Sequence, residues 1–190
     1  MKIKEEIQNQ NLNIPYSENV SVLKETVSFS GKCAANRLAI QPMEGCDGTA
    51  EGAFSELTHR RYERFAKSGA GLLWAEATAI VKEGRANPRQ IMLTEETLDN
   101  FKREVEFIRE TAVRETGVNP VLIMQATHSG RYSKPNGVPE PIIAYNKPIF
   151  EKDKPIDSSR IASDDYLKSL EEKYGKAAYL AEKAGFDGVD

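Results

Sequence analysis

No stretch of this sequence approaches the length of a membrane span. Crossing a bilayer takes about 20 consecutive apolar residues, and every apolar run here is far shorter. Residues 1–13 are polar and charged, with no apolar centre for a secretory signal. Cysteine is nearly missing: Cys33 and Cys46 form neither a C-x-x-C pair nor a disulfide framework, which fits the reducing cytoplasm. An excess of charge is missing too. The 26 Lys and Arg stand against 29 Asp and Glu for a net charge of -3, which leaves no footprint for nucleic acid or an anionic membrane. The glycine-rich stretch Glu44 to Gly52 lacks the lysine of a P-loop and the spacing of a dinucleotide fingerprint. What remains is a globular composition, 39% hydrophobic and 29% charged over 190 residues, enough for one domain with its own core.

Residues 1–19 are rich in Asn, Gln, Glu and Lys and have little to bury, so they read as a flexible leader. Val20 to Phe29 alternates weakly into the turn signal Ser30-Gly31-Lys32, a short hairpin. Asn36 to Met43 reads as the first buried strand, stopped by Pro42, which cannot donate to a ladder. Ser55 caps a helix to Ser68 with Leu57, Arg61, Tyr62, Phe65 and Ala66 near one face, and Gly69 ends it. Gly71 to Ala79 is the second strand. Glu76 within that apolar run is costly unless paired; it stands at the carboxyl mouth or has a partner, and pairing is favoured. Arg85 and Arg89, in the loop over 81–93, are candidates to meet Glu76 or a substrate.

Leu98, Phe101, Val105, Ile108 and Ala112 recur at helical steps, with Thr94 as cap, Glu95 and Glu96 at the positive end and Gly117 as stop. The apolar run from Val121 then turns abruptly into Gln125, Thr127, His128, Ser129, Gly130 and Arg131. That is a buried strand followed by a polar loop, and ligands of parallel sheets sit at such carboxyl ends. Gln125, His128 and Arg131 would offer amide, imidazole and guanidinium groups there, or merely cap a neighbouring loop. The segment 133–162 carries five of the nine prolines and reads as a lid or a surface insertion. Ser163-Asp164-Asp165 opens a third helix with Leu167, Leu170, Tyr174, Ala177, Ala178 and Ala181 buried; Gly185 ends it, and Phe186 to Asp190 begins a fourth strand. Regular alternation predicts an α/β fold of parallel strands with right-handed crossovers. A chain ending inside its newest strand leaves an open edge, so the sequence reads as interrupted.

Four blocks carry a resemblance: Asn36 through Met43; Glu76-Ala77-Thr78-Ala79 with Gly84-Arg85; Gln125 through Arg131; and Ala184 through Asp190. In this order and spacing they resemble the first half of the Old Yellow Enzyme family, the FMN-dependent NADH:flavin oxidoreductases and ene-reductases. The resemblance implies a parallel (β/α)8 barrel of TIM type, which needs ~250 residues. This chain would hold strands one to four, with an N-terminal hairpin, and 20–190 would be the N-terminal half of the flavin-binding barrel.

The resemblance also implies roles. Gln41, Pro42, Met43 and Glu44 would lie beside the reactive edge of the flavin. The family usually has Thr or Cys where Glu44 stands; a carboxylate would repel the reduced, anionic flavin unless protonated or turned away. Ala77 would pack against the ring and Gln125 would bond its pyrimidine part. Cys46 would face substrate; His128 and Arg131 would sit at the substrate mouth, chiefly organising the loop. A substrate-anchoring His/His or His/Asn pair, a flavin-contacting arginine and the phosphate site are expected beyond Asp190, so no catalytic residue or metal is assigned here. The implied activity passes a hydride from NAD(P)H through FMN to an electron-poor alkene or similar small molecule. The alternative is a non-catalytic half-barrel that self-associates or binds a second chain carrying the missing half.

Overall fold

A computed structural model of the chain describes residues 3–17, 19–152 and 154–190. Positions 1, 2 and 18 of the expected leader, and 153 of the long segment, lie outside the described residues. Helix α1 (Ile3–Asn9) buries none of its side chains. The hairpin pairs β1 (Val27–Phe29) with β2 (Lys32–Ala34) in antiparallel register, Phe29 opposite Lys32. Its two-residue turn holds Ser30 at φ 45 and Gly31 at φ 74, the left-handed pair that a tight hairpin twist needs. The first strand starts at Val27 rather than Val20, because Ser21–Lys24 winds into a 3-10 turn.

The main sheet begins with β3 (Ala39–Ile40), much shorter than the expected Asn36 to Met43. Asn36 explains the late start: its Oδ1 accepts the N–H groups of Leu38 and Gly71, bonds a ladder would otherwise make. Helix α2 (Glu56–Ala66) follows, with Ser55 Oγ accepting from the N–H groups of Leu57 and Thr58 in a capping box. Thr58, Tyr62 and Ala66 are buried, whereas Leu57 is 46% exposed on the outer side, contrary to the expected face. Strand β4 (Leu72–Ala79) leads to α3 (Leu98–Thr116). Thr97, not Thr94, stands at the N-cap, since the Thr97 hydroxyl accepts from the Thr94 N–H and holds 94–97 as a turn. Gly117 ends the helix at φ 72.

Strand β5 (Val121–Thr127) leads into the long segment, which is not structureless. It holds the short α4 (Pro148–Glu151), a 3-10 turn at Ser158–Arg160, and a bridge between Ile143 and Ile161. Helix α5 (Asp164–Ala184), capped by Ser163 and ended by Gly185 at φ 97, returns to β6 (Gly188–Val189). Ala177, Leu180, Ala181 and Ala184 of α5 are buried, but Leu167, Tyr174 and Ala178 are exposed. The helix packs on α3 along one flank only, at the edge of the sheet.

The four strands run parallel in the order β3-β4-β5-β6. Leu73 and Ala75 of β4 and Leu122 and Met124 of β5 share one core with Tyr62, Phe101, Val105, Ile108, Leu180 and Ala181 from all three crossover helices. Phe54 joins α2 to α3 edge-to-face, 5.2 Å from Tyr62 and 4.8 Å from Phe101 between ring centroids. The other face of the sheet carries Leu72, Trp74 and Ile123, half-buried. Sequential parallel strands with every crossover helix on one side form the arc of a β/α barrel. No helix among the described residues is long and apolar enough to cross a membrane.

Candidate functional site

The segments that follow the carboxyl ends of β3, β4 and β5 meet at one rim of the arc. Their placement depends on a bulge in β4. Ala75 lies opposite Met124 and Ala77 opposite Gln125, so Glu76 is the extra residue. The bulge breaks strict alternation: Ala75 and Glu76 are both buried, and Ala77 turns to the half-buried side. Glu76, 2% exposed, is paired as its burial demands. Its Oε1 accepts from Arg61 Nη2 at 2.8 Å, its Oε2 accepts the Gly45 N–H at 2.8 Å, and its own N–H donates to Tyr62 Oη at 2.9 Å.

The partner is therefore Arg61 of α2, and neither Arg85 nor Arg89. Arg85 is buried and donates to the carbonyls of Ala50 (2.7 Å) and Gln90 (2.5 Å); Arg89 donates to the Gly48 carbonyl at 2.9 Å. Both arginines fasten the loops over 48–51 and 85–90. Arg61 Nη2 also meets Asp47 Oδ1 at 2.7 Å, which accepts from Thr58 Oγ1 as well. Burial pushes the Asp47 carboxyl up, but the bonds from Arg61 and Thr58 win and hold it below the usual range.

Gln41 and Met43 are exposed and Pro42 is half-buried just past β3. Glu44 and Cys46 come together around a residue the sequence did not single out. Asn87 Nδ2 donates to Glu44 Oε1 at 2.6 Å and lies 3.1 Å from Cys46 Sγ, while Asn87 Oδ1 accepts the Arg89 N–H. Burial, and then Glu76, push the Glu44 carboxyl up toward its neutral form. Burial and Glu44 likewise raise the Cys46 thiol. Across the rim, Gln125 lies opposite Ala77 and its Nε2 donates to Asp190 Oδ2 at 3.1 Å.

His128 and Arg131 stand apart from that group. His128 Nδ1 accepts the Gly130 N–H at 3.0 Å, so Nε2 carries the proton and donates to Tyr166 Oη at 2.8 Å. Tyr166 in turn donates to Glu83 at 3.3 Å. Arg131 pairs with Glu151 and lies 5.1 Å over the Phe150 ring. Arg61, Asn87 and Tyr166 were missed as site residues. Arg61 shares the helical stripe of Tyr62, and only the bulge at Glu76 reveals what it serves. Nothing in the pattern marks Asn87 beyond its place before Pro88.

The chain matches the family described as NADH:flavin oxidoreductase / NADH oxidase over residues 27–190. It is similar to an NADPH dehydrogenase of Halalkalibacterium halodurans, 26% identical, which it matches over 84% of this chain and 44% of that protein. An NADPH dehydrogenase of Listeria monocytogenes is 28% identical, over 82% of this chain and 43% of that one. The chain thus spans less than half the length of these relatives. Among solved structures, the Old Yellow Enzyme homologue from Zymomonas mobilis superposes with a TM-score of 0.70 at 24% identity, over 88% of this chain and 47% of that one. Morphinone reductase in complex with tetrahydroNAD gives 0.69 at 21%, over 88% and 48%. These structures show the fold: the four-stranded arc corresponds to about half of a (β/α)8 barrel.

Proposed function

The chain belongs to the NADH:flavin oxidoreductase / NADH oxidase family, and on that premise we propose that it carries the ring-facing part of an FMN site. The whole protein would pass a hydride from NAD(P)H to an electron-poor alkene or similar small molecule in the cytoplasm. The observation that carries this reading is the pairing of Ala77 with Gln125 at the rim. When bound, FMN supplies the hydride relay. A carboxamide offers one donor and one acceptor edge, which suits the imide edge of a flavin ring. Ala77, with only a methyl group, leaves room for a flat ring beside that amide.

The backbone of Gln41, Pro42, Met43 and Glu44 would line the reacting edge, and Cys46 would face substrate. Burial and Glu76 both push the Glu44 carboxyl up, which would ease the repulsion a carboxylate adds to a site that gains negative charge. His128 and Arg131 would hold the segment 133–162 as a lid over the rim. Residues 1–19 would be a leader outside the domain formed by 20–190.

The test is a titration of the chain, and of any longer protein containing it, with FMN, followed by visible absorption. Uptake with a shifted flavin band is expected, and Gln125→Leu should weaken it about tenfold, the worth of a bidentate polar contact. A longer protein that takes up no FMN overturns the reading. A second reading, self-association or capture of a second chain, is favoured by the two edges of the sheet, where Leu38, just before β3, is 45% and Val189 of β6 is 39% exposed. A strictly monomeric, well-folded chain by solution mass would count against it.

A further inference from the structure

Residues 43–47 are fastened to the scaffold at every second position. Met43 is held through its carbonyl, which faces Arg61 Nη1 at 3.5 Å. Gly45 is held through its N–H on Glu76, and Asp47 through its carboxylate on Arg61. The positions between, Glu44 and Cys46, both reach Asn87, Cys46 by turning into the left-handed region at φ 52 rather than by strand-like alternation. Gly45 has no substitute in this arrangement. A Cβ there would fall 2.1 Å from Arg61 Nη2 and 2.5 Å from its Cζ, within the guanidinium itself.

We propose that Glu76 and Arg61 are positioning residues that hold 43–47 in one setting and thereby present Glu44 and Cys46 at the rim. The holding itself is independent of any ligand; what the presented side chains meet rests on the reading of the rim as the flavin site. A bidentate arginine bridging two carboxylates fixes direction as well as distance, and the β4 bulge supplies the one carboxylate that reaches both Arg61 and Gly45. A rim built on such support keeps its geometry without the ligand. Glu76→Gln is the informative change. A carboxamide can still accept from Gly45, but its NH2 would then oppose the Arg61 guanidinium, donor against donor.

The two cysteines make the test internal. In the full chain, alkylation by iodoacetamide is followed against pH by peptide mass spectrometry, reading Cys46 against Cys33. Cys33 is exposed on β2, away from the rim. Cys46 faces Glu44, with Glu76 and Asp47 adding negative charge and Arg61 and Arg89 nearby. Its profile should therefore lie on the alkaline side of Cys33. Glu76→Gln should bring the Cys46 profile back toward that of Cys33 and raise its rate at neutral pH about fivefold, because the thiolate is the reacting form. Arg61→Lys, a compact ammonium without the planar fork that spans Asp47, Glu76 and the Met43 carbonyl, should move the profile the same way in part. Far-ultraviolet circular dichroism and an unchanged Cys33 profile show that each variant is folded.

A Cys46 profile that stays alkaline in folded Glu76→Gln overturns the proposal, and so does one that moves there but not in folded Arg61→Lys, because Glu76→Gln also deletes a charge acting on Cys46. So does a wild-type profile that coincides with that of Cys33. If Glu76→Gln unfolds the chain, the Arg61→Lys profile decides in the same way. FMN titration of the same samples bears only on the functional reading: wild type without flavin uptake but with the expected Cys46 shift would sink that reading and leave the positioning role standing.

Discussion

Arg109 Nη2 and Asp187 Oδ2 stand 2.7 Å apart and bind α3 to the residues that lead into β6. The same carboxylate accepts the Leu122 N–H at 2.9 Å and meets Lys32 of the hairpin at 3.0 Å. One side chain thus joins the helix, two strands of the sheet and the hairpin. Burial raises its carboxyl, but the bonds from Arg109, Leu122 and Lys32 prevail and hold it below the ordinary range.

Asp187→Asn should therefore destabilise the chain by about 2 kcal/mol, the scale of a charge-assisted bond lost in a half-buried setting. The pH dependence has a definite sign. A carboxyl whose folded value is depressed contributes fully above its unfolded value near ~4 and loses that contribution as pH falls through the folded value. Urea titrations between pH 7 and pH 3 should show wild type converging on Asp187→Asn at the acid end. Parallel loss in both proteins across that range would contradict the assignment.

His128 behaves in the opposite chemical class but with the same direction. Burial lowers its imidazole below the ordinary value of ~6.5, and the Gly130 N–H on Nδ1 selects the neutral tautomer. The unfolded chain takes up its proton first as pH drops, so stability should fall below about pH 6.5 and level off once the folded imidazole is also protonated. A nuclear magnetic resonance titration of the His128 ring should give a midpoint below that of a free imidazole. Burial, and then Glu83, push the Tyr166 phenol up to about 12, so it stays a donor throughout this range.

Much of the scaffold could be seen beforehand, and the physics says why. Ser55, Ser163, Gly117 and Gly185 mark helix ends through bonds and dihedrals that lie within a few residues, so local sequence carries them. Leu57, Leu167 and Tyr174 were misplaced because exposure depends on which neighbour covers a flank, and periodicity has no knowledge of neighbours. The Glu76 partner was hidden for a different reason. One inserted residue turns the carboxylate away from the face that strict alternation assigns, and toward an arginine on a helix 15 positions earlier. Asn87 draws its importance from a contact 43 positions away.

Gly117 and Gly185 both end helices with positive φ, yet they should respond differently to substitution. Nothing lies within 4 Å of a Cβ built on Gly117, whereas one on Gly185 meets Val105 Cγ1 at 3.2 Å. Gly117→Ala should cost about 1 kcal/mol from backbone strain alone, and Gly117→Asn less, since Asn tolerates that region. Gly185→Ala adds crowding against α3 to the same strain. Thermal melts of the three variants should rank Gly117→Asn, Gly117→Ala, Gly185→Ala in falling stability; equal losses for the two alanines would show that Val105 gives way freely.

Gly84 offers the sharpest steric test, because its backbone is unstrained and only space is at issue. A Cβ there would lie 2.7 Å from His128 Cδ2 and 2.9 Å from Cγ. The ring cannot swing aside without cost, being bonded at Nδ1 by Gly130 and at Nε2 to Tyr166. Gly84→Ala should therefore cost about 1–3 kcal/mol, as overpacking in a confined site does. Tyr166→Phe alone should cost about 1 kcal/mol for the lost hydroxyl. In the double variant the ring is released on one side and can yield to the new methyl group. The combined loss should fall short of the sum, since the two changes act on one ring. A strictly additive pair in urea titrations would mean that Tyr166 does not hold His128 in place.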